Sequence, residues 1–236
     1  STAGVVATGR LRLRGQPGVL RPAIAVVLPT RPRPTVLLDA GATADVKPEM
    51  LVQFAQLGTA YAEIALGLTA PRVGLLTIGS EHEKGNKLAK RAHELLGTAP
   101  GIDFIGNVEG YDLLTGRADV IVTDGFTGNI ALKTIEGSVR YALTELTETL
   151  RAGRLARLGM LLQRGPLRRL RARLDSEAQG GAVLLGLNGT VVIAHGASRA
   201  PGIAAACELA ATLGAQGVVA RVGERLHAVT RPHRRR

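Results

Sequence analysis

Short aliphatic and β-branched runs alternate along the chain with longer stretches of helical period. The runs at residues 23–28, 35–38, 72–77, 102–105, 119–123 and 190–194 predict strands. Between them, residues 47–66 place Leu51, Phe54, Ala55, Leu57 and Ala62 near a 3.6 period, which predicts a helix. Residues 84–96, 129–150 and the Ala-rich 200–213 predict three more. Strands alternating with helices of this length predict an α/β fold with a mainly parallel sheet flanked by helices. Such sheets take ligands at the carboxyl ends of their strands.

Nearly every predicted strand ends in Gly or small polar residues. Asp39-Ala40-Gly41-Ala42, Ile78-Gly79-Ser80-Glu81, Gly106-Asn107, the segment Asp124 to Asn129, and His195-Gly196-Ala197-Ser198 are the five cases. Together they predict a rim of backbone N–H groups and helix N-termini suited to an anion. Ordinary turns would show the same residues. The opening Ser1-Thr2-Ala3-Gly4 reads as a phosphate-type loop entering a helix.

The segment Asp124-Gly125-Phe126-Thr127-Gly128-Asn129, followed by Lys133, is the most informative. On a helix starting near Thr127, Asn129 and Lys133 are i and i+4 and share a face. An amide and an ammonium would then meet one anion, with Asp124 orienting a donor or pairing with Lys133. The charged loop at Lys84 and Asn86 reads equally as a phosphate site and as an exposed turn. His195 ends an apolar strand, either as an acid or anion donor or as a satisfied buried histidine. His82 and His93 read as surface residues and Cys207 as core packing. Asp45 is a candidate cap, with Pro48 early in the following helix.

Charge changes the picture. The chain has 236 residues, 30 Lys+Arg against 19 Asp+Glu and a net charge of +11. Residues 1–150 are balanced at 15 bases and 15 acids, whereas 151–174 hold eight Arg and no acid. Leu155, Leu158 and Leu162 recur at helical spacing, with Arg154 and Arg157 among them. After Gly165-Pro166, Leu167 and Leu170 recur with Arg168 and Arg169. This predicts two short basic amphipathic helices joined by a Gly-Pro turn. Their Leu face would enter lipid with Arg on anionic headgroups, or pack on the domain or another protein. The organisation expected is a body at 1–150, the hairpin at 151–174, a return to the body at 175–214 and a basic tail at 215–236.

Composition narrows the classes. One cysteine, Cys207, excludes an intramolecular disulfide framework and a Cys-based zinc cage. No metal-ligand spacing appears. No run of about 18 apolar residues predicts a spanning helix. With no signal peptide at the start, a cytoplasmic location is expected. A sequence pI near 10.9 suggests nucleic acid. Localised charge, 3% aromatics and no Trp weaken that reading.

At these loops the sequence resembles the bacterial acyl-carrier-protein:phosphate acyltransferase (PlsX) family of phospholipid synthesis. The resemblance is carried by Phe104-Ile105-Gly106-Asn107-Val108-Glu109-Gly110, by Asp112-Leu113-Leu114-Thr115-Gly116 and by residues 119–137. Leu38-Asp39-Ala40-Gly41-Ala42, Lys47-Pro48, Lys84-Gly85-Asn86, Gly180-Gly181-Ala182 and His195-Gly196 add to it. Thr43, Ser80, His82 and Gln179 depart from the family pattern. The family's opening Asp-Ala-Met-Gly-Gly-Asp segment is not in this chain, so an N-terminal part, roughly a quarter to a third, is expected to be missing.

The resemblance implies a fold like that of isocitrate dehydrogenase and phosphotransacetylase, a homodimer, and peripheral attachment through the hairpin to the inner face of the cell membrane. It implies acyl transfer from acyl carrier protein to inorganic phosphate with no cofactor or metal, a possible downstream membrane acyltransferase as partner, and no nucleic acid. For that reaction, phosphate is expected among Lys84, Asn86, Asn129 and Lys133. The amides of Gly125 and Gly128, with Asn107, would hold the oxyanion. His195 would orient phosphate or protonate the thiolate, and Asp39 and Asp124 would position donors. The alternatives are a phosphotransacetylase acting on acyl-CoA, a basic binding module, or an inactive fragment.

Overall fold

The computed structural model describes residues 2–151, 153–174, 180–196 and 198–230. Among these, seven strands form one sheet: β1 (Ala23–Leu28), β2 (Thr35–Leu38), β3 (Arg72–Leu76), β4 (Asp103–Val108), β5 (Val120–Val122), β6 (Ala182–Leu185) and β7 (Val192–Ile193). Their order is β4-β3-β5-β2-β1-β6-β7. The β4, β3, β5 and β2 pairings are parallel, and β1 runs against both β2 and β6. Five strands therefore point one way, and β1 and β7 point the other. The short β6 lies in the Gly-rich stretch that sequence pattern left unassigned.

The described residues also form the helices α1 (Thr2–Leu13), α2 (Pro48–Ala65), α3 (Lys87–Gly97), α4 (Gly125–Arg151), α5 (Arg154–Leu162), α6 (Arg164–Leu174), α7 (Ala200–Ala215) and α8 (Val218–Thr230). Side chains alternate across each strand. Val36, Leu38, Val120 and Val122 face α2 with Leu51, Phe54, Leu57 and Tyr61. Leu37 and Ile121 point oppositely, toward Ala131, Leu132 and Ile135 of α4. Gly58 lets α2 sit close, because a Cβ there would meet Val120 Cγ1 at 2.6 Å.

Several expectations change. Thr2, Ala3 and Gly4 are not a loop but the start of α1, whose Val6 packs on Ile24, Leu184 and Leu187; Ser1 lies outside the described residues. Asp45 does not cap α2, whose N-cap is Lys47 without a side-chain bond; Pro48 does sit at the start of the helix, where its missing N–H costs nothing. Of the expected tail at 215–236, residues 231–236 lie outside the described residues, and 218–230 form a helix. Its Val218, Val222 and Leu226 are buried in the α2 core, a period of four that the Arg-rich end obscured. Cys207 is exposed rather than packed, since α7 turns that face outward.

The hairpin breaks at Gln163, not at Gly165-Pro166. Pro166 lies in the first turn of α6, where N–H groups have no helical acceptor anyway. No side chain of α6 is buried, and Leu162 is 78% exposed. The side chains of Arg154, Leu155, Arg157 and Leu158 lie outside the described ones. Among the described residues no single helix is long and apolar enough to cross a membrane. The α7–α8 pair passes by length and composition, but it is bent by 54° and α8 packs on the core.

Candidate functional site

Asp39 organises the end of β2. It is fully buried, and its Oδ1 accepts from the amides of Ile24 at 2.9 Å, Gly41 at 3.1 Å and Ala42 at 2.9 Å. Its Oδ2 accepts from Thr43 N at 2.7 Å. Burial pushes this carboxyl above the ordinary value of 3.8, while the four amides pull it back. The turn at 39–43 is thereby fixed around one side chain.

The start of α4 presses on that turn. A Cβ on Gly128 would come within 2.0 Å of Asp39 O, and one on Gly125 within 2.7 Å of Thr43 O. Glycine at both positions allows this approach. The expected oxyanion hole is corrected by the partners of these two glycine amides. Gly125 N donates to Thr43 O at 2.8 Å and Gly128 N to Asp124 O at 2.9 Å, so both amides are already used. Asp124 does not pair with Lys133. Its oxygens receive the Thr127 amide and hydroxyl, each at 2.8 Å, which caps the helix.

One turn further, Asn129 lies beside the 39–43 turn, its Oδ1 3.4 Å from where a Gly41 Cβ would stand. Lys133 follows on the same face. Lys133 Nζ donates to Glu136 Oε2 at 2.7 Å and reaches His195 Nε2 at 3.0 Å. His195 Nε2 is 3.7 Å from the same Glu136 oxygen. An ammonium has no lone pair, so in the Lys133–His195 contact Nζ donates and Nε2 accepts. Glu136 was not singled out in the sequence, although its i+3 spacing from Lys133 was a usable signal.

His195 does not sit on the rim expected from five equivalent loops. A tight connection from β6 makes β7 antiparallel. Its carboxyl end therefore leaves the sheet opposite to the ends of β2, β3, β4 and β5. Lys133 reaches it because α4 runs back across the sheet for two turns.

The β3–α3 loop stands apart from this cluster. Asn86 Oδ1 caps α3 at Ala89 N, 2.9 Å away, and Lys84 is exposed. Asn107 is buried, not an open oxyanion donor: its Nδ2 donates to Glu81 O at 2.6 Å and its Oδ1 meets His93 Nδ1 at 2.9 Å. His93 is accordingly half-buried, edge-on to Phe104, rather than a surface residue. A bulge in β4 accounts for this. Val73 pairs with Phe104 but Leu75 with Asn107, and Gly106 takes up the extra residue at φ +94°. Among the described residues no group of His, Cys, Asp and Glu could hold a metal ion.

The mixed α/β sheet flanked by helices is a fold shared with phosphotransacetylases. The enzyme from Streptococcus pyogenes superimposes with a TM-score of 0.52 at 17% identity, over 96% of this chain and 60% of that one. The EutD phosphotransacetylase from Staphylococcus aureus gives 0.55 at 15% identity, over 88% and 58%. In sequence, a family model described as fatty acid synthesis protein matches residues 1–221. A phosphate acyltransferase of Thermobifida fusca is 64% identical over 96% of this chain and 62% of its own length. One from Thermus thermophilus is 48% identical, over 96% and 68%. The chain belongs to this fatty acid synthesis family of phosphate acyltransferases, and it spans about three fifths of the length of the Thermobifida relative.

Proposed function

We propose that this chain carries the phosphate-binding part of an acyltransferase that moves a fatty acyl group from acyl carrier protein to inorganic phosphate. In that reaction a phosphate oxygen attacks the thioester carbonyl, the C–S bond breaks, and the proton lost by phosphate ends on the departing thiolate. Acyl-phosphate and free carrier thiol result. The observation that carries the reading is the Lys133–His195 contact, a cation and an imidazole on one face of α4 beside Asn129. Lys133 and Asn129 would bind phosphate, and His195 would orient it or return its proton to sulfur. Asp39 and Asp124 shape the turn and the helix start behind them, with Gly125 and Gly128 allowing their close approach. Lys84 and Asn86, on the loop that stands apart from this cluster, are not part of this phosphate site, Asn86 being the cap of α3.

The exposed Leu161 and Leu162 of α5 and the exposed Arg168 and Arg169 of α6 support reversible attachment to an anionic membrane surface, on the cytoplasmic side, and the family resemblance suggests a homodimer. The test is phosphate-dependent release of carrier thiol, run in parallel with acyl-CoA. Release from acyl carrier protein, with acyl-CoA inert, is expected. Turnover of acyl-CoA alone would favour a phosphotransacetylase, and no phosphate-dependent release from either would overturn the reading.

A further inference from the structure

Lys133 Nζ has three protons and nothing to accept with. One proton goes to Glu136 Oε2 and a second to His195 Nε2. In a tetrahedral ammonium, two fixed directions determine the third. Left alone, an ammonium on a four-carbon stem rotates freely and samples many rotamers. Glu136 lies one turn along α4 and is more sheltered than its partners, with its side chain 21% exposed against 49% for Lys133 and 42% for His195.

We propose that Glu136 is a positioning residue: it tethers Lys133 Nζ against His195 so that the third Nζ proton is presented to the phosphate. This rests on the anion reading above. The carboxylate also balances the ammonium before phosphate arrives. The ammonium thus has an opposite charge at 2.7 Å before any anion binds. An arriving dianion draws on a donor already aimed, which saves reorientation at the reacting centre.

Two measurements on the 236-residue chain test this, with Glu136→Ala and Glu136→Gln as variants. The first is the side-chain ammonium resonance of Lys133 by 1H–15N NMR, with and without inorganic phosphate. The second is steady-state kinetics in phosphate and in acyl carrier protein thioester. In wild type, the Nζ signal is expected to be protected from exchange and to move on adding phosphate. In Glu136→Ala it should broaden away, with kcat/KM for phosphate falling roughly tenfold to a hundredfold and KM for the acyl donor unchanged. Glu136→Gln keeps an acceptor for Nζ and should recover most of both. A signal that survives Glu136→Ala, with phosphate KM within about twofold of wild type, overturns the tether alone. A protected wild-type signal that phosphate does not move overturns the anion reading and the role given to the tether with it.

Discussion

Lys133 Nζ and His195 Nε2 stand 3.0 Å apart across 62 residues of chain. One comes from the third turn of α4 and the other from the segment after β7. Lys133→Ala removes the cation but leaves the imidazole and Glu136 in place. If Lys133 touches charge that develops during acyl transfer, turnover in the thiol-release assay should fall by roughly a hundredfold or more. Near-normal turnover would remove Lys133 from the site.

Gly128→Ala should be costly, since the new methyl would lie 2.0 Å from Asp39 O, a backbone atom that cannot step aside. A loss of about 1–3 kcal/mol is expected from overpacking, read as a lower urea midpoint. Gly137 lies on the same helix with nothing within 4 Å of its Cβ position. Gly137→Ala should gain about 0.4–1 kcal/mol by restricting the unfolded chain. Equal effects of the two variants would contradict the tight seat of α4 on the 39–43 turn.

Asp39 makes stability depend on pH with a stated sign. Its carboxyl holds its proton more tightly in the folded chain than at the ordinary value of 3.8. That contribution is fully present below 3.8 and is lost as pH rises through the raised folded value. Asp39→Asn has no such titration. Denaturation midpoints at a series of pH values should therefore show wild type losing ground to Asp39→Asn as pH climbs from below 3.8. A gap that moves the other way would mean that the four amides outweigh burial.

The hairpin yields a prediction that does not depend on catalysis. Leu162→Glu, Leu167→Glu and Leu170→Glu together place three acids on the apolar side of α5 and α6. Co-sedimentation with anionic vesicles should drop well below wild type, and salt should weaken both, since each Arg near such a surface contributes about 1 kcal/mol. Equal sedimentation would leave the Leu face without a role at membranes.

The helical and strand periods of the body were legible because each apolar run there faces a core. β1 and β2 coincide with their predicted spans, and α2 starts one residue from its own. What escaped was set by contacts distant in sequence. Val218, Val222 and Leu226 make a helical stripe only against α2, and the Arg of the last residues masked it. Asn107 looked like an open donor because its partners, Glu81 O and His93, come from a different loop and helix. The Gly125 amide looked available because its acceptor, Thr43 O, depends on how closely α4 approaches the 39–43 turn, and the Gly128 amide because α4 begins early enough to bond it to Asp124 O. Lys133 and His195 were each legible as polar groups next to apolar segments, but their meeting required the antiparallel turn of β7.

The 62 residues between Lys133 and His195 also set an order of events during synthesis. Lys133 leaves the ribosome first, then the basic hairpin, and His195 only afterwards. At about 5–20 residues per second, His195 follows Lys133 by some seconds. The hairpin is thus made while the cluster is still open. A chain caught on an acidic surface at that moment would close the Lys133–His195 contact there, with its hairpin already engaged.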